Sequence, residues 1–136
     1  MLRVKLPHLD RWAEARQAAA RRYDALIEEH ELDSYLLRPM VQAHRRHVFN
    51  QYVVRVARGQ RDALVRHFRA EKIGCEVYYP IPLHRQVAYR HYPVVDGGLP
   101  VSEQLAAEVI SLPMHPYLDA ATQDRIIEAV RHALRG

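Results

Sequence analysis

From Leu9 to Leu32 the apolar residues Leu9, Trp12, Ala19, Tyr23, Leu26 and Ile27 recur at threes and fours, with Arg, Glu and Gln between them. The spacing predicts one long amphipathic helix. A helix of that kind has to lay its apolar stripe on a sheet or on other helices, so it sets the plan for whatever follows it. Pro7 restricts the backbone just upstream and Asp10 puts a negative charge in the first turn, both of which suit a helix start. Leu2 to Leu6 is then expected to be the tail of an earlier element. A chain of 136 residues has room for one modest core, since a domain of this size buries about 68–70% of its unfolded surface.

Downstream, Leu36 to Arg46 contains Pro39, a basic cluster and no usable period, and reads as a loop. His47 to Val56 is rich in β-branched and aromatic residues and reads as a strand. Gly59 and Gln60 break that pattern. Arg61 to Glu71 presents Leu64, Val65 and Phe68 on one face of a short helix, which Gly74 is placed to cap. Cys75 to Tyr79 reads as a second strand. Pro80 to Pro100 carries Pro80, Pro82, Pro93, Pro100 and the pair Gly97–Gly98, and is expected to be an extended surface loop. Val101 and Ser102 resemble a staple and N-cap for a helix through Val109, followed by a short strand, Ile110 to Leu112. Asp119 is the expected N-cap of a last helix bearing Ile126, Ile127, Val130 and Leu134. The result is an α+β pattern over residues 1–136, a single domain with a small sheet packed against helices. Leu64, Phe68, Val109, Ile126 and Val130 are expected to share its core.

Composition narrows the function classes. With 49% hydrophobic and 26% charged residues, the chain belongs with globular proteins. It has no apolar run able to span a bilayer and no signal-peptide pattern in its first residues, so no membrane association is expected and the cytoplasm is the default. The lone Cys75 has no cysteine partner and reads as a small core residue at a strand start. Net charge is +4, with 18 Arg and 2 Lys. The arginines alternate with Asp and Glu along helical stretches, which favours solvated helix faces over a nucleic-acid surface. Nine histidines raise the question of metal. Pairs such as His44 with His47 and His84 with His91 lack any HExxH or cysteine-linked spacing, and no metal site is expected. No GxSxG, GxGxxG or Walker-type loop occurs.

Two local arrangements could carry a site. In Tyr78-Tyr79-Pro80-Ile81-Pro82-Leu83-His84 a strand ends, two prolines stiffen the chain, and a histidine stands at the far end with little freedom to move. Such a segment can hold a hydrogen-bonding group against a ligand, although composition alone favours an ordinary proline-rich connection. In His47-Val48-Phe49-Asn50-Gln51-Tyr52 two adjacent amides sit in a strand-like run. On an alternating strand one of them faces inward and needs a partner, protein or ligand, with a structural hydrogen bond the commoner outcome.

Four stretches together resemble the C-terminal region of the DegT/StrS sugar aminotransferases: Leu2-Arg3-Val4-Lys5-Leu6-Pro7-His8-Leu9-Asp10-Arg11-Trp12, His47 to Arg55, Gly74 to Gln86, and Leu112-Pro113-Met114-His115-Pro116. The similarity covers Leu2 to Leu134, and Tyr-Pro-x-Pro-Leu-His is its most specific piece. It is nearest to the members that aminate a keto sugar on a uridine diphosphate carrier with glutamate as donor. What the resemblance implies is the small domain of a fold-type I homodimer dependent on pyridoxal phosphate. That domain packs over the large domain's cofactor cleft, and its partners are the large domain, the second subunit and a sugar nucleotide. It implies a substrate-side contact for His84, with Tyr79 and Asn50 as weaker candidates. The role of Arg85 is left open.

The family's cofactor lysine in a Ser-x-x-x-x-Lys setting, its phosphate loop and its aspartate to the pyridine nitrogen have no counterpart here. Neither Lys5 nor Lys72 has a serine five residues before it. The chain is therefore expected to be a separated or truncated C-terminal domain that binds no cofactor and catalyses nothing alone. The segment from Tyr79 to His84 is expected to be extended and mostly exposed, and His84 to have few protein partners. Two rivals come from other classes. One is a small basic module presenting Tyr52, Tyr78 and Tyr79 on strands to single-stranded nucleic acid. The other is a structural domain that forms oligomers through uncovered surface.

Overall fold

The computed structural model describes residues 2–57 and 59–136. The expected first helix is present as α2, Leu9–Glu29. It is preceded without a break by a short helix α1, Leu2–Lys5, and a 3-10 turn, Leu6–His8, that takes up Pro7. The apolar stripe becomes buried only from Ala13 onward, through Ala19, Ala20, Tyr23, Leu26 and Ile27. Leu9 is exposed and Trp12 half-buried, its Nε1 donating to Tyr117 Oη at 2.9 Å.

Helix α2 stops in a left-handed turn at Glu31 (φ 51), where Leu32 N donates to Ile27 O at 2.8 Å and Glu31 N to Glu28 O at 2.9 Å. This is the paired bonding that satisfies the last carbonyls of a helix, and it drops the apolar Leu32 into the core. Helix α3, Arg61–Ala70, ends the same way at Lys72 (φ 56), with Ile73 N on Phe68 O at 2.8 Å. The cap expected at Gly74 is thus made by Lys72, two residues earlier. Burial of Ile73 offsets the strain of a side chain in the left-handed region.

Three strands form an antiparallel sheet in the order β1 (Leu36–Leu37), β2 (Tyr52–Val56), β3 (Val109–Leu112). Leu36 pairs with Val56, and Tyr52, Val54 and Arg55 pair with Leu112, Ile110 and Val109. Several sequence expectations are corrected here. Residues 47–51 are not strand, because Phe49 (φ 44) leaves the extended region before β2 begins. The segment read as a loop from Leu36 opens with β1. Cys75 to Tyr79 contributes only one bridge, Glu76 to Ser111, before prolines that cannot donate to a ladder. Cys75 is accordingly half-buried beside the core and outside any strand.

Alternation along β2 sends Tyr52, Val54 and Val56 inward, where they meet Ile110 and Leu112 of β3, Leu64 and Phe68 of α3, and Ile126, Ile127 and Val130 of the last helix, α5 (Ala120–Arg135). Tyr52 Oη donates to Asp24 at 2.6 Å and Tyr23 Oη to Pro113 O at 2.9 Å, so both buried phenols keep a partner; burial raises the pKa of each. Buried Gln123 ties α5 to α2 through Ala19 O at 2.8 Å. Asp119 caps α5 as expected, accepting from Thr122 N at 2.7 Å. Val109 does not join the core: it follows the opposite phase of β3 and lies half-buried on the other face.

That other face receives α4, Pro100–Glu108. Pro100 itself starts the helix, where its missing N–H costs nothing, so Ser102 is inside the first turn and is not the N-cap. Arg55 of β2 reaches Glu108 with two bonds of 2.7 and 2.9 Å to one carboxylate oxygen. Buried Arg61 donates to the carbonyls of Ala106 and Val109 at 3.1 and 3.2 Å, satisfying oxygens at the end of α4. These two arginines fix the position of α4.

Candidate substrate groove

Between α4 and the segment 78–99 lies an open groove of about 1110 Å³ whose walls are mostly apolar and aromatic, with Tyr79, Tyr89, Tyr92 and Leu105 on its sides and His84 among its few polar groups. Few polar groups in an apolar concavity is the usual composition of a ligand site. The segment is not simply extended, as expected, but turns. Pro82 (φ −58, ψ 148) leads into a 3-10 turn, Leu83–Arg85, closed by Arg85 N on Pro82 O at 2.9 Å. Further on, Gly97 and Gly98 (φ 88 and 75) reverse the chain into α4, in a conformation that a side chain would strain.

The turn carries His84 back against α4. Its side chain is only 13% exposed and its Nε2 lies 3.0 Å from Glu103 Oε1. The expectation of a solvated His84 with few partners is therefore corrected: Pro100 starts α4 early enough to place Glu103 in its first turn, facing the imidazole. Arg85 donates Nε and an NH2 group to the same oxygen at 3.0 and 2.8 Å. The hydrogen bond from His84, then those from Arg85, hold the Glu103 carboxyl below its ordinary value of 4.5.

A depressed carboxyl adds stability above its unfolded pKa and loses it as pH falls through the folded value. Protection of the Arg85 and Gln86 amides against hydrogen exchange is accordingly expected to persist to about pH 4.5, the ordinary value, and to drop below it. In Glu103→Gln that acid-induced drop should be absent; an unchanged drop would assign it to another group.

Of the three residues singled out by sequence, the structure brings Tyr79 and His84 to one groove and leaves Asn50 apart. Asn50 and Gln51 are both exposed, and Phe49 takes the inward place expected of an amide. Glu103, Tyr89 and Tyr92 were not singled out. An acidic residue three positions after a helix-starting proline was a usable signal for Glu103, whereas the tyrosines lie in a stretch with no period. The nucleic-acid reading loses its stacking platform: Tyr52 is fully buried, and Tyr78 and Tyr79 are not on a strand.

A Schiff-base cofactor needs an amine that can be neutral, which proteins provide by desolvation or a neighbouring cation. Lys5 and Lys72 are both exposed, so the residues present do not fit pyridoxal phosphate. Among the described residues there is no group of three or more metal-ligating side chains, and no helix is long and apolar enough to cross a membrane.

The sequence model of the DegT/DnrJ/EryC1/StrS aminotransferase family matches residues 1–131. A dTDP-3-amino-3,4,6-trideoxy-alpha-D-glucose transaminase from Micromonospora megalomicea is 41% identical over 100% of the chain, which covers 36% of that relative. A UDP-N-acetyl-3-dehydro-alpha-D-glucosamine 3-aminotransferase from Acidithiobacillus ferrooxidans is 36% identical over 100% of the chain and 35% of its own length. The crystal structure of DesV from S. venezuelae, in complex with a ketimine intermediate, superposes with a TM-score of 0.88 at 32% identity, covering 99% of this chain and 35% of that one. The chain thus spans about a third of the length of the relatives it matches.

Proposed function

The chain belongs to the DegT/DnrJ/EryC1/StrS aminotransferase family, and on that premise we propose that it forms the single C-terminal small domain of an enzyme transferring an amino group from glutamate to a keto sugar on a nucleotide carrier. The observation that carries this reading is the groove itself, in which Tyr79 and a firmly held His84 stand among aromatic side chains. Aromatic faces suit the apolar faces of a sugar ring, and a fixed imidazole suits its hydroxyls. Both uridine- and deoxythymidine-diphosphate sugars occur among the substrates named for the relatives, and either carrier is compatible with this role.

In this reading the cofactor-bearing large domain is the chain's partner, together with the second subunit of a homodimer. Pyridoxal phosphate, held there, supplies the electron sink that amino transfer requires. The residues of this chain bind and orient the sugar and exclude water from the cleft. Ile81, Leu83, Val87 and Val95, all exposed, extend the apolar surface around the groove and are the surface that a covering domain would bury. Asn50, outside the groove, is assigned at most a contact made through that partner.

Alone, the chain incubated with pyridoxal phosphate and dialysed is expected to retain no lysine-bound cofactor absorbance and to show no transamination with glutamate. A stoichiometric signal surviving dialysis would implicate Lys5 or Lys72. The positive test is a chimera in which this chain replaces the corresponding last third of the Micromonospora relative. Amination of a dTDP- or UDP-linked keto sugar is the expected result. A chimera that folds and holds its cofactor yet aminates neither would overturn the proposal.

A further inference from the structure

His84 and Glu103 meet through one nitrogen and one oxygen, and that contact decides what the other ring nitrogen can do. A carboxylate only accepts hydrogen bonds, so at 3.0 Å from Glu103 Oε1 the proton sits on His84 Nε2. The two N–H groups of Arg85 on the same oxygen keep the carboxylate in that ionised, acceptor-only form. In the neutral imidazole, Nδ1 is then an acceptor, and among the described residues no hydrogen bond engages it. The side chain lines the groove, and among the described residues Nδ1 is not one of the fully buried polar atoms left without a partner.

We infer that Glu103 is a positioning residue that fixes His84 as its Nε2–H tautomer, so that the groove offers Nδ1 to a hydrogen-bond donor on the ligand, a sugar hydroxyl or an amino group. This rests on the reading of the groove as the sugar site. The geometry has a source in the fold. Glu103 projects from α4, whose far end is clamped by Arg55 through Glu108 and by Arg61 through the carbonyls of Ala106 and Val109. His84 is held on a short 3-10 turn by the preceding proline. Neither partner is therefore free to drift, which is the condition for one protein group to set another's tautomer.

The test has two arms. In the 136-residue chain labelled with ¹⁵N-histidine, the His84 Nε2–H is expected to give an observable ring N–H resonance, slowed in exchange by its acceptor, with Nδ1 unprotonated. Glu103→Ala should lose that resonance to fast exchange, and Glu103→Gln, which keeps the fold and an acceptor oxygen, should retain it weakened. A proton found on Nδ1, or a resonance unchanged in Glu103→Ala, overturns the inference without reference to activity. In the chimera, Glu103→Ala is expected to lower kcat/KM by about 5- to 150-fold, with cofactor content unchanged. The double variant with His84→Ala should be no worse than either single one, as for two residues acting as a unit. If His84→Ala lowers kcat/KM and Glu103→Ala does not, the positioning role fails while the groove assignment stands. If His84→Ala itself has no effect, the groove assignment fails and the spectrum alone decides the tautomer.

Discussion

Replacing Phe68 by Ala is expected to lower the unfolding free energy by about 3–5 kcal/mol, the usual cost of truncating a buried phenylalanine. Phe68 is fully buried, on the face of α3 that meets α5 and the sheet, so the lost ring would leave a hole bounded by rigid elements on several sides. Its own carbonyl also receives Ile73 N in the turn that ends α3, so the surrounding backbone is poorly placed to collapse into the gap. A domain of this kind has about 5–15 kcal/mol of stability in all, so the variant should stand near the limit of folding. Urea denaturation is the measurement: the midpoint should move down with an unchanged slope. A loss within about 0.5 kcal/mol, the size expected of a surface substitution, would refute the packing described above.

The second large effect is functional. In the chimera, His84→Ala is expected to lower kcat/KM by about 5- to 150-fold, a loss of about 1–3 kcal/mol in transition-state stabilisation, the scale for removing a hydrogen-bonding partner and leaving ligand groups without one. Cofactor content should not change, since the residues of this chain do not fit the cofactor and His84 is assigned to the sugar side. Tyr79→Phe keeps the ring in the groove and removes only the hydroxyl, so it should cost less than His84→Ala unless that hydroxyl also meets the ligand. Unchanged kinetics for His84→Ala would end the assignment of His84 as a substrate contact.

Much of this molecule was legible in the sequence because it rests on local rules. Period 3.6 gave the long α2 and the faces of α3 and α5; Asp119 before a helical run marked a cap; the β-branched and aromatic run 47–56 marked the central strand, which occupies its second half. The candidate site was legible in half. Tyr-Pro-x-Pro-Leu-His pointed to a restrained histidine, and His84 does line the groove. Two features misled. Helices α2 and α3 end on Glu31 and Lys72, residues with no preference for the left-handed turn they make, because the turn is held by burial of Leu32 and Ile73 further along. The run from His47 carries strand-like residues up to a break at Phe49 that nothing in its composition announces.

What only the tertiary structure decided is where α4 comes to rest. Proline at its first position starts the helix, but Arg55 and Arg61, from elements some 45 to 53 residues earlier, hold its end on the outer face of the sheet. That placement turns Glu103 toward His84, takes most of the imidazole out of solvent, and makes a groove from two segments that no spacing along the sequence brings together. Local periodicity determines which residues can form an element and which face it buries. The direction in which an exposed carboxylate points depends on contacts between distant parts of the chain, and no spacing along the sequence carries it.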